Sequence, residues 1–387
     1  MKQIVILTST RADYGLLSCV IKKLMRDKGV NVRVAATGMH LAAEFGLTYK
    51  EIEIDGIKID RKIEILMSSD TSVSMSKTMG MAMISFADYF EEVCPDALLV
   101  LGDRYETLAV CCAALNAKIP IIHLHGGETT EGAIDEAIRH SITKMSYLHF
   151  TSTEEYRRRV IQLGENPERV YNVGALGVEN VLHQPLLSKE ELESKLKLKL
   201  SMPYAVVTYH PVTLESRDAY ETVKMFLDAL DQNKDMFYII TKSNADAGGR
   251  QINLMLEEYA AHRNNVRVYD SLGMLVYLSA VKYSEMVIGN SSSGILEVPS
   301  FRIPTVNIGD RQKGRIRAES VIDCKEDTES IIKAIKKAKS QEFKKKCSQT
   351  KNPYEGEKTS DTIVELIKKN IFDKKVEIKK KFYDIEM

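Results

Sequence analysis

The sequence predicts an α/β fold built from two doubly wound, Rossmann-like domains, and three observations predict it. Short apolar runs alternate with longer amphipathic stretches from end to end, the pattern of parallel strands joined by crossover helices. The alternation weakens across residues 182–202 and then starts again. The 387 residues are long for one ordinary domain and sufficient for two.

In the first half, residues 4–7 read as a buried strand, 16–26 as an amphipathic helix that stops near Gly29, and 32–36 as the next strand. The stretch 40–70 is irregular, with Gly46, Gly56 and the polar run Ser68-Ser69-Asp70-Thr71-Ser72. A helix over 73–92 is stopped by Pro95. Strands at 97–101, 120–124, 147–151 and 170–173 then alternate with helices at 106–116, 133–145 and 154–163. His183-Gln184-Pro185 precedes a charged helix over 189–199, which places the boundary between domains 1–184 and 185–355. The second alternation supplies strands at 204–208, 236–241, 266–269, 286–288, 305–308 and 320–322. Residues 356–387 hold a last helix over 357–369 and a Lys-rich tail, 374–381, expected to be a solvated end.

Composition narrows the function classes. Lys+Arg and Asp+Glu stand at 54 each, so the overall basic excess of a nucleic-acid binder is missing. With 44% hydrophobic and 28% charged residues the chain is neither collagen-like nor disordered. The six Cys form no CxxC pair, which argues against a disulfide framework or a zinc site. The apolar start ends at Thr8 and is followed by Arg11 and Asp13, too short for a signal peptide. No run approaches the roughly 18 apolar residues that span a bilayer. A cytoplasmic protein without membrane or nucleic-acid partners is expected.

Open parallel sheets bind ligands at the carboxyl ends of their strands, so two such domains place the active site in an interdomain cleft lined by post-strand loops. The loop after the first strand, Ser9-Thr10-Arg11-Ala12-Asp13-Tyr14-Gly15, is not GxGxxG, which removes the dinucleotide fingerprint. It still offers helix-opening N–H groups and Arg11 to an anion. Gly102-Asp103-Arg104-Tyr105-Glu106 sets an acid and a base side by side at the tip of a central strand. After 120–124 comes the densest polar cluster: His123, His125, Glu128, Glu131, Asp135, Glu136, Arg139 and His140. Carboxylates beside imidazoles are what proton transfer needs near neutral pH. A metal held by His123 and His125 on one strand face is the competing reading, although no HExxH-like spacing occurs. In the second half, Tyr209-His210-Pro211, Lys242-Ser243-Asn244 and Gly289-Asn290-Ser291-Ser292-Ser293-Gly294 follow strands, with Arg311 and Arg315 after another. The Gly-Asn-Ser-Ser-Ser-Gly loop suits a diphosphate cradle, because small residues admit the ligand and N–H and hydroxyl groups donate to it.

Together these loops resemble the hydrolysing UDP-N-acetylglucosamine 2-epimerases of bacterial sialic and related nonulosonic acid synthesis. The matching strings are Arg11-Ala12-Asp13-Tyr14, Thr37-Gly38-Met39-His40, Gly102-Asp103-Arg104-Tyr105-Glu106, His125-Gly126-Gly127-Glu128, Ile138-Arg139-His140-Ser141-Ile142-Thr143-Lys144, Gly289-Asn290-Ser291-Ser292-Ser293-Gly294 and Gly309-Asp310-Arg311-Gln312-Lys313-Gly314-Arg315. The C-terminal Phe382-Tyr383-Asp384-Ile385 adds to them. The resemblance implies a GT-B-like pair of domains, with UDP held mainly by the C-terminal half. It implies UDP-binding roles for Arg11, His210, Asn244, Ser291, Ser292, Glu297 and Arg311, and a place for Arg104 with Asp103 at the sugar–diphosphate junction.

It also implies the chemistry: UDP leaves, the C2 proton is removed to give a glycal, and water adds while C2 is reprotonated from the other face. No metal and no other cofactor is called for; the partner is a UDP-sugar. Asp103, Glu128, Asp135 and His125 are the acid/base candidates. Some relatives carry Glu where this chain has His125, and here the acid moves to Glu128, so which of the two carries the proton stays open. UDP-N-acetylglucosamine leads as substrate, with UDP-N,N'-diacetylbacillosamine as the alternative. A non-hydrolysing epimerase, a transferase of the same architecture and a non-catalytic nucleotide-sugar binder are the further alternatives. A homodimer or dimer of dimers is the symmetric default.

Overall fold

The computed structural model describes residues 1–69, 71–131, 134–211, 219–243 and 249–385. They form two compact units. The first holds the chain up to Glu128, then Asp135–Glu179 and the residues from Tyr354 on; the second holds Asn180–Pro353 and the short loop with Thr129 and Glu131.

The first unit is built on seven parallel strands: β1 (Lys2–Thr8), β2 (Val30–Thr37), β3 (Ile59–Ile63), β4 (Ala97–Leu101), β5 (Ile121–Leu124), β6 (Leu148–Thr151) and β7 (Val170–Asn172). Their order is β3-β2-β1-β4-β5-β6-β7, so the winding reverses between β1 and β4. Side chains of a strand alternate between faces, and β1 shows it. Ile4 and Ile6 join Leu17, Val20 and Ile21 in one core, while Val5 and Leu7 join Phe86, Tyr89 and Val110 in the other. Both faces are buried, which is why β1 reads as an unbroken apolar run. Ile363 and Ile367 of the Thr359–Ile367 helix belong to the first of these cores.

The second unit repeats the plan with β8 (Tyr204–Thr208), β9 (Phe237–Thr241), β10 (Val266–Tyr269), β11 (Met286–Gly289), β12 (Thr305–Ile308) and β13 (Val321–Cys324). The order is β10-β9-β8-β11-β12-β13, all parallel, with its reversal between β8 and β11. Gly289 approaches β8 so closely, at φ 137°, that a Cβ there would come within 1.9 Å of the Thr208 carbonyl oxygen. Only glycine fits that turn.

Three expectations change. The first helix is Arg11–Met25, beginning five residues before position 16, because Thr10 and Asp13 close a capping box around its first turn. The irregular stretch contains β3, an edge strand whose central Asp60, Arg61 and Lys62 hide the alternation; Arg61 and Lys62 pair with Glu92 and Glu53. The Lys-rich tail is not simply solvated, since Lys380 bonds the Lys144 and Ser146 carbonyls and Glu165. Among the described residues no helix is long and apolar enough to cross a membrane.

Candidate active site

In the first unit the ionisable side chains gather at the strand tips. Gly102 turns the chain after β4 with φ 78°. Asp103 then pairs with Arg139, whereas Arg104 turns to the buried Glu106. These neighbours therefore serve different partners and do not form one local pair.

Arg139 is the hub. It lies within the Asp135–Met145 helix, 1% exposed, and donates to Glu136 Oε2 at 3.0 Å and to the Glu128 carbonyl at 2.9 Å as well as to Asp103. A buried guanidinium is tolerable only when its donors are met and its charge offset, and two carboxylates plus a carbonyl do both. Asp135 opens the same helix and is half-buried. The residue one place along, Glu136, takes the ion pair with Arg139.

His125 follows the last residue of β5 with φ 63°, a left-handed conformation that a side chain adopts at a cost. Its amide bonds the Phe150 carbonyl at 2.8 Å, which ties the turn to β6. Nδ1 lies 3.3 Å from Glu128 Oε1, and the Ser152 hydroxyl donates to that same oxygen at 2.7 Å. Nε2 is buried and has no hydrogen-bond partner among the described residues. Glu128 thus orients the ring and leaves the far nitrogen available.

His123 plays a different part. Its Nε2 donates to the Gly102 carbonyl at 2.8 Å and Nδ1 lies 3.2 Å from the Thr143 hydroxyl, so the ring bridges the post-β4 loop and the Asp135–Met145 helix. Burial holds its pKa down to about 3. The chain turns at His125, one residue past the end of β5, so of the two histidines only His123 lies in the strand. Among the described residues no group of three or more His, Cys, Asp or Glu side chains is placed to hold a metal ion.

Arg11 opens its helix and pairs with Glu51 at 2.8 Å. Asp13 accepts from the amides of Ser9 and Thr10 and from the Ser9 hydroxyl, yet burial still pushes its carboxyl up to about 6.

In the second unit the hub is neutral. Asn290, fully buried, accepts from the His210 amide at 2.7 Å and donates to the His210 carbonyl at 2.8 Å. Its own carbonyl accepts from Arg311 at 3.3 Å and from Gln312 at 2.9 Å. One residue, through its side chain and its main-chain carbonyl together, thereby joins the loops after β8, β11 and β12. The His210 ring reaches Ser243 at 3.1 Å, bringing in the loop after β9.

The amides of Ser291 and Ser292 have no partner among the described residues. The helix they open, Ser293–Leu296, is four residues long, so the loop offers N–H groups without the macrodipole a longer helix would add. Glu297 ends that helix and its charge reaches Tyr277, whose hydroxyl donates to Ser293 at 3.0 Å. Asn244 lies outside the described residues.

The structure thus brings Asp103, Glu128 and His125 together around Arg139, with Asp135 on the helix beside them. It brings His210 and Arg311 together around Asn290, next to Ser291 and Ser292. Glu136, Ser152, Gln312 and the two hub residues went without a role in the sequence. Asn290 was legible inside its Gly-Asn-Ser string, and Arg139 at four residues past Asp135.

Residues 22–368 match the family model described as UDP-N-acetylglucosamine 2-epimerase. The chain is 44% identical, over 89% of each sequence, to a protein of Campylobacter jejuni named GDP/UDP-N,N'-diacetylbacillosamine 2-epimerase (hydrolyzing). It is 40% identical, over all of this chain and 98% of the other, to the Escherichia coli polysialic acid biosynthesis protein P7. Among solved structures, UDP-GlcNAc 2-epimerase from Neisseria meningitidis bound to UDP-GlcNAc shares the fold, with TM-score 0.78, 21% identity, and coverage of 96% of this chain and 100% of that one. Matched along nearly its whole length, the chain belongs to the UDP-N-acetylglucosamine 2-epimerase family.

Proposed function

We propose that this enzyme is a cytoplasmic hydrolysing 2-epimerase that converts a UDP-linked 2-acetamido sugar into UDP and the free manno-configured sugar. The observation that carries the reading is the imidazole at the β5 tip, fixed at Nδ1 by Glu128 with its Nε2 unpartnered among the described residues. A ring so held is a proton acceptor without further rearrangement.

The second unit's loops take the nucleotide: the Ser291 and Ser292 amides and Arg311 donate to the diphosphate, while Glu297 accepts from ribose hydroxyls and His210 and Asn244 complete the set. Arg11 and Arg104 add positive charge for the leaving group. The C1–O bond to UDP breaks and its electron pair leaves with UDP, which makes the C2 proton removable. His125 Nε2 accepts that proton, with Asp103, Asp135 and Glu128 as the neighbouring carboxyl groups, and the glycal forms. Water then adds its oxygen to C1 while C2 takes a proton on the opposite face. Turnover of UDP-N-acetylglucosamine in deuterated water, followed by NMR, tests this through one deuteron at C2 of a free manno sugar.

UDP-N-acetylglucosamine is the proposed substrate, supported by the likeness to the polysialic acid protein along the full chain. A second reading, UDP-N,N'-diacetylbacillosamine, is favoured by the 44% identity to the Campylobacter protein. Comparing kcat/KM for the two separates them. A homodimer is part of the proposal: Val73, Met81 and Ile84 of the Ser72–Val93 helix and Leu115 of the Tyr105–Asn116 helix packed against it are exposed apolar side chains. Sedimentation of an Ile84→Glu variant as an unchanged dimer would count against that face.

A further inference from the structure

Lys380 sits at the C-terminal end of the helix that carries Asp135, Glu136 and Arg139. Its ammonium donates to the carbonyls of Lys144 at 2.8 Å and Ser146 at 2.6 Å, and pairs with Glu165 Oε2 at 2.6 Å. The last carbonyls of a helix have no donor of their own, and a cation there also meets the negative end of the macrodipole. Ile142, one turn earlier, is already served by the Ser146 amide and hydroxyl. Lys380 therefore completes the cap, and its three donors meet three acceptors.

The site that receives it is built. Glu165 is buried and is held also by Lys144 at 2.7 Å and His149 at 3.0 Å. Burial works to raise the Glu165 carboxyl, and the bonds from His149, Lys144 and Lys380 overcome it and hold it down to about 2. Two residues further on, the Phe382 ring fills the space at Gly164, where a Cβ would stand 2.3 Å from it. The Tyr383 amide donates to the Gly164 carbonyl at 3.0 Å, and the Lys144 ammonium lies 5.0 Å from the Phe382 ring centre. Ring and backbone both aim the lysine.

We propose that Lys380 is a positioning residue for the proton-handling cluster. By capping the Asp135–Met145 helix from behind, it fixes where Arg139 stands, and through Arg139 the side chain of Asp103 and the carbonyl of Glu128. The inference rests on the proposed function only for its catalytic consequence; the cap itself is independent of substrate.

The test uses full-length Lys380→Met and Lys380→Arg. In Lys380→Met, amide hydrogen exchange across residues 139–146 speeds up about fivefold, the worth of one cation at a helix terminus, while the Thr328–Lys339 helix is unchanged. With UDP-N-acetylglucosamine as substrate, kcat falls about tenfold and KM stays within about twofold. Lys380→Arg restores both readouts. In Lys380→Met, Lys144 and His149 still hold Glu165, so the chain stays folded by circular dichroism and the kcat loss is read on folded protein. Unchanged exchange in Lys380→Met would overturn the cap whatever the activity does. Raised exchange with wild-type kcat would overturn the positioning role. A wild-type chain that turns over no UDP-sugar sinks the proposed function instead, and the exchange result still decides the cap.

Discussion

The two units place different chemistry at the strand tips of two similarly wound sheets. Around the reversal of the first sheet the hub is a buried cation, Arg139, and its partners are the carboxylates of Asp103 and Glu136. Around the reversal of the second the hub is neutral: the Asn290 side-chain amide bonds the His210 main chain, and the Asn290 main-chain carbonyl accepts from Arg311 and Gln312. Moving a proton requires groups that change charge, and these must be coupled so that one change is offset by its neighbours. Holding an anion requires donors that keep their state while the chemistry proceeds elsewhere. Under the proposed function the contrast divides labour: the first unit would react and the second would hold.

The sharpest way to break that contrast is His125→Asn. A positioned general base is worth about 10²–10⁴ in rate, so kcat falls by that factor while calorimetric UDP affinity stays within about twofold. An equal loss in both would erase the difference between the units. Asp103→Asn comes next. It leaves Arg139 buried with part of its charge unmatched, and breaking a buried pair costs about 3 kcal/mol; thermal unfolding shifts down and kcat drops with it. On the other side, Asn290→Ala removes both side-chain bonds that tie the loop after β11 to His210 in the loop after β8, while the main-chain carbonyl that holds Arg311 and Gln312 stays. Losing buried hydrogen bonds of this kind costs about 1–3 kcal/mol, and the expected readout is weaker UDP binding with kcat at saturation largely kept.

A further effect is in the pH dependence of stability. His123 is held down to about 3 from an ordinary value of 6.5. A lowered histidine pKa means the fold excludes the protonated ring. Its stabilising contribution is therefore full above pH 6.5 and is lost as pH falls toward 3. Denaturant titrations from pH 7 downward should show a shallower fall in stability for His123→Asn than for the wild type, and parallel curves would count against the assignment.

Much of this was legible in the sequence, for physical reasons that also explain what was not. β1, β4 and β8 are buried on both faces, so each is a short apolar run that nothing else resembles. β3 escaped because an edge strand needs only one apolar side and its Asp60, Arg61 and Lys62 are paired at the surface. The tip residues Asp103, His125 and Glu128 stand out because charge at a strand end has few structural uses. Arg139 and Asn290 stayed hidden as hubs, since what defines them is convergence of loops far apart in sequence. Lys380 was hardest to find: in a run of lysines nothing marks the one that Gly164 and Phe382 aim at a helix end.

The division of labour is tested most directly by running wild type and His125→Asn side by side in deuterated water with UDP-N-acetylglucosamine. The account predicts free manno sugar with one deuteron at C2 from the wild type, and from the variant UDP still bound with wild-type affinity but almost no deuterated product. Full C2 labelling by His125→Asn, or a gluco product without label from the wild type, would contradict it.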